Sequence, residues 1–157
     1  MPMRTLLPLL ALTSIACKDK DGDTGGDGAA QAEALWDEMN GYSGWPQVAP
    51  WEGVQASGAA HGAFVQIWVN DVAQAGAAAG GTDFAEGSVL VKESYDSADG
   101  GATGVTAMKK TGGAGDGGWI FAKFGVDGTV ELAGDEASGG CAGCHSAGPD
   151  YSLAWSE

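Results

Sequence analysis

Apolar residues along this chain recur first at helical spacing and then at every second position. Between residues 29 and 40, Ala32, Leu35, Trp36 and Met39 fall on one face of a helix, and Gly41 is suited to end it. Residues 42–60 lack such periodicity and carry Trp45-Pro46 and Pro50-Trp51, which predicts mostly loop. Residues 61–70 alternate. Ala63, Val65, Ile67 and Val69 line one face of a strand, and Phe64, Gln66 and Trp68 line the other. Asn70 or Asp71 caps a short helix that runs through Ala79 and stops at Gly80-Gly81. Further strands are expected at 88–95, 103–110 and 118–126, then an Asp127-Gly128 turn and a short strand at 129–132. Glycine-rich joints at 100–104 and 112–118 separate them. Short strands joined by glycine turns make an antiparallel sheet. The fold class is therefore α+β, mainly an antiparallel meander with a helix near each end.

The first seventeen residues follow a different pattern. Arg4 precedes a mostly apolar run from Thr5 to Ala16, too short to span a bilayer but suited to a signal peptide. Ser14-Ile15-Ala16-Cys17 resembles a bacterial lipobox, with Ser14 where leucine is usual, so Cys17 is the expected lipidation site. Residues 18–30 contain no large apolar side chain and read as an acidic, glycine-rich tether. Asp19, Asp21 and Asp23 begin like a calcium loop, but Thr24 and Ala30 stand where glycine and glutamate belong. The expected organisation is a signal peptide at 1–16, a lipid-anchored Cys17 with its tether over 17–30, and one domain over 31–157. Such a protein is exported and held on the periplasmic side of a bacterial membrane or at the cell surface.

Composition narrows the function. Asp and Glu number 21 against 7 Lys and Arg, a net charge of −14, and loss of the signal peptide removes only Arg4. A chain this acidic lacks the basic face that nucleic-acid binding requires. Its 28 glycines disfavour long helices and suit the tether and the turns. The three cysteines divide into Cys17 and a pair near the C-terminus.

That pair carries the chemistry. Cys141-Ala142-Gly143-Cys144-His145 is C-x-x-C-H, the attachment motif for c-type haem. Two thiols three residues apart on a helical turn reach the two vinyl groups of one porphyrin, and the adjacent histidine sits under the iron. One covalently attached haem c per chain is expected on Cys141 and Cys144, with His145 as the axial iron ligand and the C-terminal helix as the attachment helix. Only twelve residues follow His145, and none is Met or His. A sixth ligand would have to come from upstream: Met39, Met108, His61 or a lysine. Met108 reads as core, and His61 as the surface or structural start of a strand. The iron is therefore expected to be open, which suits binding or transforming a small ligand.

Several stretches together resemble the cytochrome P-460 family, which includes the cytochrome c-prime-beta proteins. They are His61-Gly62 with Val65 through Asn70; Phe84, Gly87 and Val89 through Glu93; Met108-Lys109-Lys110; Gly118-Trp119; and the C-x-x-C-H motif followed by Asp150-Tyr151. The resemblance spans about residues 30–157. It implies a predominantly antiparallel fold, one c-type haem near the C-terminus, and commonly a homodimer. It also implies one of two activities. Some members oxidise hydroxylamine at a haem cross-linked to a lysine, for which Lys92 is the candidate here and Lys109 and Lys110 are rivals. A distal base then takes protons, with Glu136 the candidate and Asp135 its neighbour. Other members bind nitric oxide or carbon monoxide in an apolar pocket, for which Phe64, Trp68 and Phe84 are the candidate walls. Regular alternation places Glu93 on the opposite face to Lys92. The expected function is redox chemistry on a small nitrogen substrate such as hydroxylamine, with a redox partner protein. Diatomic gas binding and plain electron transfer are the alternatives.

Overall fold

The computed structural model describes residues 24–58, 60–113 and 116–155. The expected signal segment, Cys17 and the start of the expected tether lie outside the described residues. Helix α1 spans Thr24–Glu38 and α2 spans Gln74–Ala78. The strands are β1 (Gln55–Ala56), β2 (Phe64–Val69), β3 (Val89–Tyr95), β4 (Ala102–Lys110), β5 (Trp119–Phe124) and β6 (Val130–Leu132). They form one sheet in sequence order, with every neighbouring pair antiparallel. Near the C-terminus, α3 (Gly134–Ala137), a π-helical turn (Ser138–Ala142) and α4 (Gly143–His145) follow one another without a break. The protein is thus an α+β meander, as its hydrophobic pattern predicts.

Strand register sorts the side chains into two layers. Across β2, β3, β4 and β5, one rung reads Val69, Leu90, Met108 and Phe121, and the next reads Ile67, Lys92, Thr106 and Lys123. Both rungs face one side of the sheet, because successive residues on a strand point to opposite faces. The intervening rung, Trp68, Val91, Ala107 and Ala122, faces the other side. Ala32 and Leu35 of helix α1, with Met39 just beyond its end, cover that second face, against Val89, Val91, Val105 and Phe124. Trp36 stacks on Phe124 with ring centres 5.0 Å apart, and Lys109 Nζ meets Glu38 Oε2 at 2.5 Å. The first face is closed by α2, Phe84 and the C-terminal helical segment through Ala137 and Ala142.

Three local details differ from the sequence expectation. Helix α1 begins at Thr24 rather than 29 and so takes in the end of the expected tether. Its Gly28 abuts α3: a Cβ there would lie 2.5 Å from Gly134 Cα. At this close approach a side chain would clash with backbone, which requires glycine at 28. Strand β2 starts at Phe64, because Gly62 turns the chain at φ +133 and leaves His61 in the turn rather than in the strand. Finally, 42–60 is mostly loop as expected, but it also holds β1, a strand that the sequence reading lacks, paired with β2 at Gln55 and Ala56. The helix over 74–78 is introduced by Asn70, whose Oδ1 accepts from the amides of Ala73 and Val89, both at 3.0 Å.

A polar cluster lies on the α1 face. Tyr42 donates its hydroxyl to Glu93 Oε1 at 2.5 Å, and Tyr95 donates to Glu93 Oε2. Burial first, and the Glu93 carboxylate second, hold both phenols well above the ordinary tyrosine range. A raised phenol stays protonated in the fold where the unfolded chain ionises, so this stabilisation is lost as pH rises above ~10. Ultraviolet titration is expected to leave Tyr42 and Tyr95 protonated at about pH 11. Glu93→Gln should bring them into titration earlier without restoring ordinary behaviour, since burial remains. The same substitution should cost roughly 1–3 kcal/mol in urea unfolding, as hydrogen bonds to a charged acceptor are lost.

Candidate functional site

The C-x-x-C-H residues occupy the last turns of the C-terminal helical segment. Cys141 lies in the π-helical turn, and Cys144 and His145 in α4. Both cysteines are free thiols; Cys141 is half-buried and Cys144 exposed. Burial, and then the neighbouring Cys144, push the Cys141 thiol upward in pKa. The chain then turns back at Gly148 and brings the Tyr151 carbonyl to 2.9 Å from His145 Nδ1. A carbonyl only accepts, so Nδ1 carries the proton and Nε2 keeps its lone pair, the arrangement usual for a metal-binding imidazole. Burial lowers the His145 pKa, an effect partly opposed by this bond and reinforced by Lys92.

His145 looks onto the first face of the sheet. Phe121 meets its ring edge-on with centres 5.1 Å apart. Ile67, Leu90, Met108 and Phe121 wall a cavity of about 50 Å³ that also touches Lys92, Cys141 and His145. A wider cleft of about 380 Å³ borders the same three residues, with Trp51, His61 and Cys144 on its rim. The His61 ring stands 6.0 Å from that of His145. Burial, and then the Lys92 ammonium, depress its pKa to about 4, so His61 is neutral near pH 7. Ser152 lines the inner cavity, and its buried Oγ has no hydrogen-bond partner among the described residues. Among those residues no group of three or more His, Cys, Asp or Glu is arranged to hold a bare metal ion.

The candidates from the sequence separate accordingly. Lys92 lies in the pocket wall, while its neighbour Glu93 points to Tyr42 and Tyr95 on the opposite face. Lys109 pairs with Glu38 of α1 and Lys110 with Asp150, so neither lines the pocket. Phe64 and Trp68 do share a face, but it is the wrong one for a pocket wall: Trp68 packs edge-on against Tyr42 at 5.3 Å. Phe84 is on the correct side but is absorbed in the core, at 5.4 Å from Trp119 and 6.0 Å from Trp155. The apolar wall is instead Ile67, Leu90, Met108 and Phe121. Phe121 could have been found from β5, where it alternates in step with Trp119 and Lys123. Met39 is buried beneath α1, away from the pocket. Asp135 and Glu136 lie in α3, but their side chains are outside the described set. Cys17 lies outside it altogether.

The donor set fits a haem attached through C-x-x-C-H: two accessible thiols, an imidazole with Nε2 available, and an apolar wall facing it. A family model described as Cytochrome P460 matches residues 39–152. That match takes in the whole sheet from β1 to β6 and the C-x-x-C-H motif. No curated protein matches the chain.

The two phenylalanines are expected to part company on truncation. Phe84→Ala and Phe121→Ala should each cost about 3–5 kcal/mol in chemical denaturation, since both are buried. Only Phe121→Ala should change the rate at which carbon monoxide binds the haem-loaded protein.

Proposed function

The chain belongs to the cytochrome P-460 family, a haem-binding family, and from that premise we propose that it is an exported, lipid-anchored mono-haem c-type cytochrome acting on a small nitrogen substrate such as hydroxylamine. Cys141 and Cys144 would hold the haem c, and His145 Nε2 would bind its iron. Bound there, a haem would supply redox-active iron able to bind small ligands. The chain's own residues do the rest. The Tyr151 carbonyl orients His145. Ile67, Leu90, Met108 and Phe121 exclude water from one side of the pocket. Lys92 is the residue for a macrocycle cross-link, and Glu136 for proton removal from the substrate. Electrons leave to a redox partner protein. Lipid on Cys17 holds the domain at the periplasmic or outer surface of a bacterial membrane, and the domain pairs as a homodimer.

The observation that carries this reading is the pairing of an available His145 Nε2 with two free thiols under a wall that contains Lys92. A second reading, binding of nitric oxide or carbon monoxide without turnover, draws on the apolar character of that wall. Plain electron transfer draws on His61, whose neutral ring stands close enough to His145 to compete for the iron.

Mass spectrometry of the exported protein should find one haem on the peptide carrying Cys141 and Cys144, and Cys141→Ser with Cys144→Ser should abolish it. A ferrous Soret band shifted strongly to the red in the wild type, and returned to an ordinary position by Lys92→Ala, is the expected signature of the cross-link. A high-spin spectrum without the shift would favour gas binding. A low-spin spectrum with no added ligand, converted to high spin by His61→Ala, would establish the electron carrier instead.

A further inference from the structure

The segment that follows the C-x-x-C-H motif holds an ion pair that the reading above does not use. Asp150 Oδ1 accepts from Lys110 Nζ at the end of β4 and from Trp119 Nε1 at the start of β5, the latter at 3.3 Å. Asp150 Oδ2 accepts from the backbone amide of Phe84 at 2.8 Å. Lys110 also donates to the Gly117 carbonyl at 2.7 Å and sits 5.1 Å above the Trp119 ring. The pair is mostly buried, with side-chain exposures of 16% for Lys110 and 18% for Asp150. Three separate parts of the chain therefore converge on one carboxylate.

The backbone at that carboxylate is unusual. Asp150 has φ 43 and ψ 39, and Tyr151 has φ 60, so two consecutive residues are left-handed. Aspartate tolerates this conformation, but a tyrosine there is an outlier that its surroundings must enforce. The Tyr151 ring is seated against Gly117, where a Cβ would lie 2.4 Å from Tyr151 Cδ2. This turn aims the Tyr151 carbonyl at His145 Nδ1.

We propose that Asp150 is a positioning residue for His145: clamped by Lys110, Trp119 and the Phe84 amide, it holds the left-handed turn whose Tyr151 carbonyl receives the His145 Nδ1–H. That hydrogen bond fixes the tautomer and ring direction of the ligand and raises the basicity of Nε2, which favours ferric over ferrous iron. The inference rests on the assignment of His145 as the axial ligand.

The test uses the haem-loaded protein and Asp150→Asn, which keeps side-chain size and tolerance of the left-handed region but removes the charge. The midpoint potential should rise, and the ferrous iron–histidine stretching band should move to lower frequency. Glu38→Gln, which breaks an ion pair on the other face of the sheet, should leave both readouts unchanged. If Asp150→Asn does not accumulate, Trp119→Phe removes one donor to the same carboxylate and should shift the potential in the same direction by less. An Asp150→Asn protein that melts earlier but keeps the wild-type potential and band would show a merely structural role and overturn the proposal. A haem spectrum unaltered by His145→Ala would remove the axial assignment, and the proposal with it; that outcome is told apart from the first by the His145 variant alone.

Discussion

Register across the four central strands governs this protein. Each strand sends alternate side chains to opposite faces, and antiparallel pairing aligns those choices into rungs, so a shift of one residue in any strand would exchange core and pocket. In the observed register, Val91, Ala107 and Ala122 meet α1 and Trp68 meets Tyr42, whereas Leu90, Met108 and Phe121 turn toward the pocket beside His145. Neighbours in sequence thereby reach different environments. Glu93 lies beneath two tyrosines on one side, and Lys92, one residue earlier, stands in the pocket wall on the other. Both faces are occupied by apolar residues, which locks the register from both sides.

The C-terminal segment completes the site by folding back onto that sheet. Its helical part leaves Cys141 and Cys144 as free thiols beside the cleft. Ala154 and Trp155 are then tied down. The Trp51 indole donates to the Ala154 carbonyl at 2.6 Å, and the Trp155 indole donates to the Ala49 carbonyl at 3.2 Å. With Asp150 held by Lys110 and Trp119, residues 146–155 act as a strap around His145. A chain that relied on the helical turn alone would leave the imidazole free to rotate. A backbone carbonyl held from several directions does not permit that.

Polar groups near the pocket show a division of labour. The ionisable side chains that touch it, Lys92, His61, Cys141 and His145, come from β3, from the turn before β2, from the π-helical turn and from α4. Burial depresses both imidazoles, and Lys92 reinforces the effect, so each remains a neutral nitrogen base near pH 7. Neutral imidazole is the form that binds a metal. The acidic excess of the chain lies elsewhere, on the surface and in the region before α1. An excess of one charge sign there favours solubility through self-repulsion.

The antiparallel meander from β2 to β6, the α+β class, the C-x-x-C-H group and the opposition of Lys92 to Glu93 were legible in the sequence. Each follows from short-range rules: alternation, turn residues and motif spacing act over a few positions. The membership of Phe121 in the pocket wall, the exclusion of Phe64 and Trp68 from it, and the approach of His61 to His145 were not legible. Alternation says which residues share a face but not which face meets which partner, and that depends on where α1 and the C-terminal strap dock. The same holds for Asp150. Its charge is visible in the sequence, but the lysine, indole and amide that converge on it come from places 31 to 66 residues away. Local physics along the chain determined the elements and the haem-binding motif. Only tertiary packing, by choosing which side of one sheet each helix covers, decided what surrounds His145 and what holds it in place.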